Sequence, residues 1–274
     1  MLGNVFSPYY AAARRRGPAD PDNYCALNVA LYGAGGKRWA MVDRPRHAVA
    51  RDAATLAIGR SRLAFERDGL TLAIDEPTVP IPGRIRGRVR VHVPALCAQA
   101  FDVHASGRHA WQPLCANAEV EVALDRPARR WRGHAYLDTN AGTAPLELDF
   151  RGWHWSRARL SAGSAVLYDA AARDGSRIGL ALRLGDDGGA APFTPPPESH
   201  LPGTLWRIGR ATRSETPPQV AKTLEDTPFY ARSWIDSTLL GEPVRGFHES
   251  LDLDRFASRW VQVLLPFRMP RQLH

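Results

Sequence analysis

In Leu63-Ala-Phe-Glu-Arg-Asp-Gly-Leu-Thr-Leu-Ala-Ile74, two runs with apolar residues at every second position flank Asp68-Gly69. Period two is the spacing of a strand with one buried face, and Asp-Gly supplies the backbone conformation that a tight turn demands. The segment therefore predicts a β-hairpin. Working outward, Cys25 to Tyr32 reads as a strand ending at Gly33, and from Arg84 to Arg90 arginines alternate with Ile85, Gly87 and Val89 as on a strand with one wet face. Ala100 to His104, Glu119 to Leu124 and Trp131 to Leu137 follow, punctuated by Ser106-Gly107 and Arg126-Pro127. Beyond residue 150, Trp153 to Leu160, Ala165 to Ala170 and Arg177 to Leu184 repeat the pattern, joined by Ala162-Gly163 and Asp174-Gly175. The expectation is an all-β, antiparallel meander of barrel or sandwich type.

Pro and Gly break almost every longer window, so helices are scarce; Leu253 to Leu264, with Asp252 as N-cap, predicts one short C-terminal helix. The turn-rich stretch 139–152 suggests two β domains, 1–140 and 141–274, and Gly185 to Pro202 reads as a long loop or flap in the second.

The 274 residues and 44% hydrophobic content suffice for a real core. No run approaches the roughly 18 uncharged apolar residues of a spanning helix. Arg14-Arg15-Arg16 follows the apolar start, whereas a secretory signal places its charge first, so a cytoplasmic location is expected. Three cysteines, Cys25, Cys97 and Cys115, in no zinc spacing, predict reduced thiols. The net charge of +8 is almost all arginine and favours anionic partners. The arginines are scattered, which fits a solvated strand face better than a nucleic-acid stripe and leaves membrane-surface contact open.

The chemistry concentrates between Ser106 and Ser156, where four of the eight tryptophans fall. His109 and Trp111 lie two apart, as do His134, Tyr136 and Asp138, so on strands each set shares a face. If the strands are near neighbours, one face gathers a carboxyl, imidazoles, a phenol and indoles; Trp153 and Trp155 by themselves read as core or rim residues of a barrel. A carboxylic acid kept neutral by an apolar pocket can protonate an alkene, and aromatic faces stabilise the resulting cation. An imidazole can then accept the proton of an attacking water. From spacing alone, Tyr-x-Asp at a strand end is ordinarily a packed ring and a turn-starting aspartate. The histidines form no metal set, Gly33-Ala-Gly-Gly-Lys37 lacks the Ser or Thr of a phosphate loop, and no nucleophile motif occurs.

Phe6-Ser-Pro-Tyr-Tyr10, Cys25-Ala-Leu-Asn-Val-Ala-Leu-Tyr-Gly33, Arg38-Trp-Ala-Met41 and Gly133-His-Ala-Tyr-Leu-Asp-Thr-Asn-Ala-Gly142 resemble the carotenoid 1,2-hydratase (hydroxyneurosporene synthase) pattern. So do Trp155-Ser-Arg-Ala-Arg159, Ala165-Val-Leu-Tyr-Asp169 and Leu264-Leu-Pro-Phe-Arg-Met-Pro-Arg271. The resemblance spans nearly the whole chain. It implies a pair of lipocalin-like β domains and a cofactor-independent hydro-lyase that adds water to the terminal C1–C2 double bond of acyclic carotenoids such as neurosporene or lycopene. It implies Asp138 as the acid, Tyr136 as a cation-stabilising or orienting ring, and His109 and Trp111 as an essential pair. Trp131, His134, Trp153 and Trp155 would bind substrate, with no metal and no organic cofactor. Trp153-His154-Trp155 departs from the family's Trp-Asp-Trp, so position 154 is no obligatory carboxylate. A bilayer-dissolved polyene further implies peripheral contact with an anionic inner or photosynthetic membrane and no nucleic-acid partner. A lipocalin-like polyene carrier and a cofactor-free polyene cyclase are the alternatives.

Overall fold

The computed structural model describes residues 1–33 and 35–272. Strands dominate, all the paired ones antiparallel, and short helices close the chain. This is the expected all-β class. By packing, the residues group into two compact units whose segments interleave along the chain. One comprises Met1–Val93, Ala118–Ala135 and Gln262–His274; the other comprises Pro94–Asn117 and Tyr136–Val261.

In the first unit, the strands Val49–Arg51, Thr55–Ile58, Ser61–Glu66, Gly69–Thr78 and Gly83–His92 pair in succession. The hairpin forms as read: Phe65 faces Leu70 and Glu66 faces Gly69 across Arg67-Asp68. The arginine stretch is a strand with Ile85 and Val91 buried, while Arg90 pairs outward with Glu66 and Asp68. Ala40, Ile74, Ile85, Val122 and Leu124 form this unit's core. The strand expected over Cys25 to Tyr32 is Asn28–Leu31, paired with Arg38–Met41.

The second unit holds a sheet in the order Ala190–Pro192, Arg177–Leu184, Ser164–Ala172, Phe150–Arg159, Glu242–Asp252, Tyr230–Leu239 and Gln219–Asp226. Its register lays out a grid, since directly opposed residues project to the same side. On one face, Tyr168, Trp155, Glu249 and Arg232 form a row across four strands. Ala170, Trp153, Leu251 and Tyr230 form the row beside it, and Val166, Arg157, Phe247 and Trp234 the next. The other face buries Ala158, Ala165, Leu167 and Ala181 together with Leu160 and Leu239.

Three local readings differ from the sequence expectation. Gly185 to Pro202 is no plain loop: Ala190–Pro192 extends the sheet, and Glu198–Leu201 pairs with Arg210–Arg213. The stretch 139–152 continues the strand Ala128–Gly142 and then makes a one-turn helix, Leu146–Asp149. The single C-terminal helix is two. Asp252 accepts from Arg255 N at 2.9 Å and caps Leu253–Ala257, but Ser258 turns extended and its hydroxyl donates to Arg255 O. That bond satisfies a terminal carbonyl and ends the first helix. A second helix, Arg259–Arg268, then buries Val261 and Leu265 and leaves Trp260, Val263, Leu264 and Phe267 exposed on one face.

Candidate active site

Two strands bring the candidate residues over the grid. The strand His109–Arg126 begins with His109 and Trp111 both buried, as residues two apart on one face. The strand Ala128–Gly142 carries Tyr136 and Asp138 on its second half. Trp111 is 1% exposed, and its Nε1–H donates to Asp138 Oδ2 at 2.9 Å. Its ring packs on Tyr168 at 5.9 Å and on Phe101 at 5.8 Å. Tyr136 packs on Trp155 at 5.5 Å, and Trp153 lies 6.2 Å from Tyr168. The acid therefore stands beside a floor of indoles and phenols.

Asp138 is exposed to water, with the packed rings and Glu249 in its surroundings. That surrounding protein raises its pKa above the usual carboxylate range, and the negative Glu249 raises it further. The Trp111 hydrogen bond opposes both, because it favours the charged form. The net direction keeps a proton on Asp138 to higher pH than on an ordinary aspartate. Glu249 is held by the Tyr230 hydroxyl at 2.5 Å and by the Arg232 guanidinium at 2.8 Å. The Tyr136 hydroxyl is buried beside Asp138 and Trp111, and burial followed by the Asp138 charge raises its pKa. Trp155 Nε1 is buried and has no hydrogen-bond partner among the described residues.

His109 sits at the end of this cluster. Its Nε2 lies 2.7 Å from Asp149 Oδ2, both groups buried, and Arg108 pairs with the same carboxylate. A carboxylate only accepts, so Nε2 carries the proton, and Nδ1 is the nitrogen left to act as an acceptor. A side chain at Gly142 would stand 2.9 Å from Nδ1, so the glycine of Thr139-Asn-Ala-Gly142 keeps that space open. Rings link this pair to the acid: His109 to Phe150 at 5.0 Å, Phe150 to Trp153 at 6.0 Å, then Tyr168 and Trp111.

Of the residues singled out by sequence, His109, Trp111, Tyr136, Asp138, Trp153 and Trp155 are thus gathered in one unit. Trp131 and His134 lie in the other unit and are exposed. His154 projects to the opposite face and bonds Ser250 at 2.9 Å. Tyr168, Phe101, Phe150, Asp149, Glu249, Arg232 and Tyr230 were not assigned a role from sequence. Only Tyr168 had a signal, as part of Ala165-Val-Leu-Tyr-Asp169. A cleft of about 490 Å³ reaches Trp153 but is otherwise lined largely by charged residues, among them Arg151, Arg177, Arg213, Asp169 and Glu198, a lining that suits an apolar chain poorly.

Trp111→Phe keeps the ring and removes the donor. If Asp138 is the catalytic acid, kcat should fall roughly 10- to 100-fold with a smaller change in KM, because the carboxyl loses its orientation. Loss of that bond also raises the acid's pKa further, so the limb on which activity declines with rising pH moves upward. A pH profile of both proteins checks this.

The family model described as "Carotenoid hydratase CrtC" matches residues 1–274. The acyclic carotenoid 1,2-hydratase of Thiocapsa roseopersicina is 53% identical over 274 residues, covering 99% of this chain and 68% of that protein. The enzyme of the same name from Rubrivivax gelatinosus is 49% identical, with 99% and 68% covered, and that from Cereibacter sphaeroides 38% identical, with 99% and 97%. Among solved structures, a candidate AttH from Nitrosomonas europaea superposes with a TM-score of 0.57 at 17% identity, over 82% of this chain and 80% of that one. That likeness concerns fold alone and is consistent with the lipocalin-like class. Sequence match, fold and an acid set among aromatic rings agree, and the chain belongs to the carotenoid hydratase family.

Proposed function

We propose that this chain is an acyclic carotenoid 1,2-hydratase, and that Asp138 is its acid. The observation that carries the assignment is a carboxyl with raised pKa, held by Trp111 at 2.9 Å beside Tyr136, Trp155 and Tyr168. Protonated Asp138 gives its proton to C2 of the terminal double bond, whose electron pair forms the new C–H bond and leaves a tertiary cation at C1. The ring faces stabilise that cation by roughly 2 kcal/mol or more each when water is excluded. A water oxygen bonds to C1, and His109 Nδ1 takes the surplus proton, which then returns to the Asp138 carboxylate through solvent. The product is a tertiary 1-hydroxy carotenoid, and the three steps use an acid, rings and a base that this chain carries, without a cofactor.

The substrate is an apolar rod dissolved in a bilayer, so the same reading includes peripheral contact with an anionic membrane surface on the cytoplasmic side. No helix among the described residues is long and apolar enough to cross a membrane. A host that makes lycopene and expresses this chain should accumulate a more polar 1-hydroxy product on chromatography. Unchanged lycopene from well-folded protein would sink the reading.

The Tyr136 ring and its hydroxyl are separable. Tyr136→Phe removes the hydroxyl beside Asp138 and keeps the ring, so thermal stability should change by no more than about 1 kcal/mol. If the ring is what acts, Tyr136→Phe keeps most of kcat, whereas Tyr136→Ala lowers it roughly 30-fold, the kinetic equivalent of one desolvated cation–π contact. Steady-state rates and thermal melts on the two variants decide this.

A further inference from the structure

Leu205 is 98% exposed, and Trp206 and Trp260 beside it are 46% and 48% exposed, their rings stacked 6.1 Å apart with 22° between planes. Water penalises such apolar surface, and nothing in the chain's own core requires it there. The turn that presents it is firmly built. Arg207 N donates to Thr204 O at 2.9 Å, Ile208 N to Thr204 Oγ1 at 3.1 Å, and Trp206 N to Asp226 Oδ2 at 3.2 Å. The Arg255 guanidinium donates to Trp206 O and to Pro228 O, and Ile208, 1% exposed, roots the turn in the unit. Arg207 holds a left-handed backbone at φ 57°, which a non-glycine residue adopts only where its surroundings impose it.

The charges around this tip have one sign to spare. Arg207 and Arg259 are exposed, and the helix Arg259–Arg268 contains no acidic residue. The neighbouring carboxylates are engaged: Asp226 with Trp206 N, Asp252 as the cap to Arg255 N, and Asp254 with Arg173.

We propose that the Leu205–Trp206 turn and Trp260 stacked beside it dock this protein on an anionic phospholipid bilayer. Leucine and the indoles enter the headgroup boundary, where an amphipathic indole is well placed, while Arg207 and Arg259 meet lipid phosphates. A protruding tip suits a fluid phase, whereas a stable dimer buries roughly 800 Å² of matched surface on each partner. The proposal rests on the reading of the substrate as a bilayer-dissolved polyene and adds the surface that reaches it.

The test is sedimentation of the purified chain with vesicles of phosphatidylcholine alone and of phosphatidylcholine with phosphatidylglycerol. The expected result is salt-sensitive co-sedimentation with the anionic vesicles, weakened roughly tenfold or more by Leu205→Asp and by Trp206→Ala. Both variants should keep the wild-type circular dichroism and the wild-type rate on carotenoid dispersed in detergent, and lose rate on carotenoid held in vesicles. Wild-type protein that sediments with neither vesicle, or variants that sediment as the wild type does, would overturn the proposal. So would a concentration-dependent dimer that Leu205→Asp abolishes without any vesicle binding. Absence of hydration by the wild type even in detergent would instead count against the hydratase reading, and the vesicle result would still stand or fall by itself.

Discussion

Asp138→Asn should abolish hydration, lowering kcat by at least about 100-fold, and should at the same time stabilise the folded protein at neutral pH. The loss follows from the chemistry: an alkene is a poor base, and an amide has no proton of useful acidity to offer it. Geometry is not what the change removes, since Asn can still accept from Trp111 Nε1 through its carbonyl oxygen. The gain follows from linkage. Desolvation by the surrounding protein and the Glu249 charge raise the Asp138 pKa in the folded protein above its value in the unfolded chain. Between those two values the folded state binds more protons than the unfolded one, so stability declines as pH rises through that window. Below the unfolded value, about pH 4, the carboxyl is neutral in both states and carries no such penalty. The Asn side chain never pays it. The two melting curves should therefore lie together in acid and separate as pH increases, with the Asp138→Asn variant the more stable. Melts across pH, paired with product chromatography, check both halves. Equal product from wild type and variant would remove Asp138 as the acid and keep the enzyme.

The parts of the fold that were legible in the sequence are those where apolar alternation and turn chemistry coincide, as at Leu63 to Ile74 and at Arg84 to Arg90. The strands Gln219–Asp226, Tyr230–Leu239 and Glu242–Asp252 escaped notice for a physical reason. Along Tyr230–Leu239 and Glu242–Asp252 the buried faces carry Ser233, Ser237, His248 and Ser250, so burial alternates while hydrophobicity does not, and along Gln219–Asp226 burial itself does not alternate. Interleaved packing units are also invisible to a single cut in the chain, because two long strands, His109–Arg126 and Ala128–Gly142, each contribute residues to both. For the site, period two sufficed to put His109 with Trp111 and Tyr136 with Asp138. It said nothing of partners from other strands. Glu249 joins Trp155 only through the register of distant segments. Trp131 and His134 show the converse: they share the sequence neighbourhood of Tyr136 but fall in the other unit.

Asp149 shows most plainly what a pairing across 40 residues adds, and Asp149→Asn should cost about 100-fold or more in kcat without unfolding the protein. The carboxylate is buried, accepts from His109 Nε2 and is shared with Arg108, so it fixes which imidazole nitrogen bears the proton. An amide can present its NH2 to Nε2 instead. That would place the proton on Nδ1, the atom assigned to receive a proton from water, and the base would be blocked while the ring stayed in place. Asp149→Ala is a different experiment. It leaves the buried Nε2–H unsatisfied and should cost about 1–3 kcal/mol of stability in addition. The decisive measurement is a double-mutant cycle. If Asp149 acts only through the imidazole, Asp149→Asn made in a His109→Ala background should reduce kcat no further, since residues that act as a unit are not additive. Full additivity of the two losses would mean that Asp149 serves the reaction independently of His109, and the base would have to be sought elsewhere on the aromatic face.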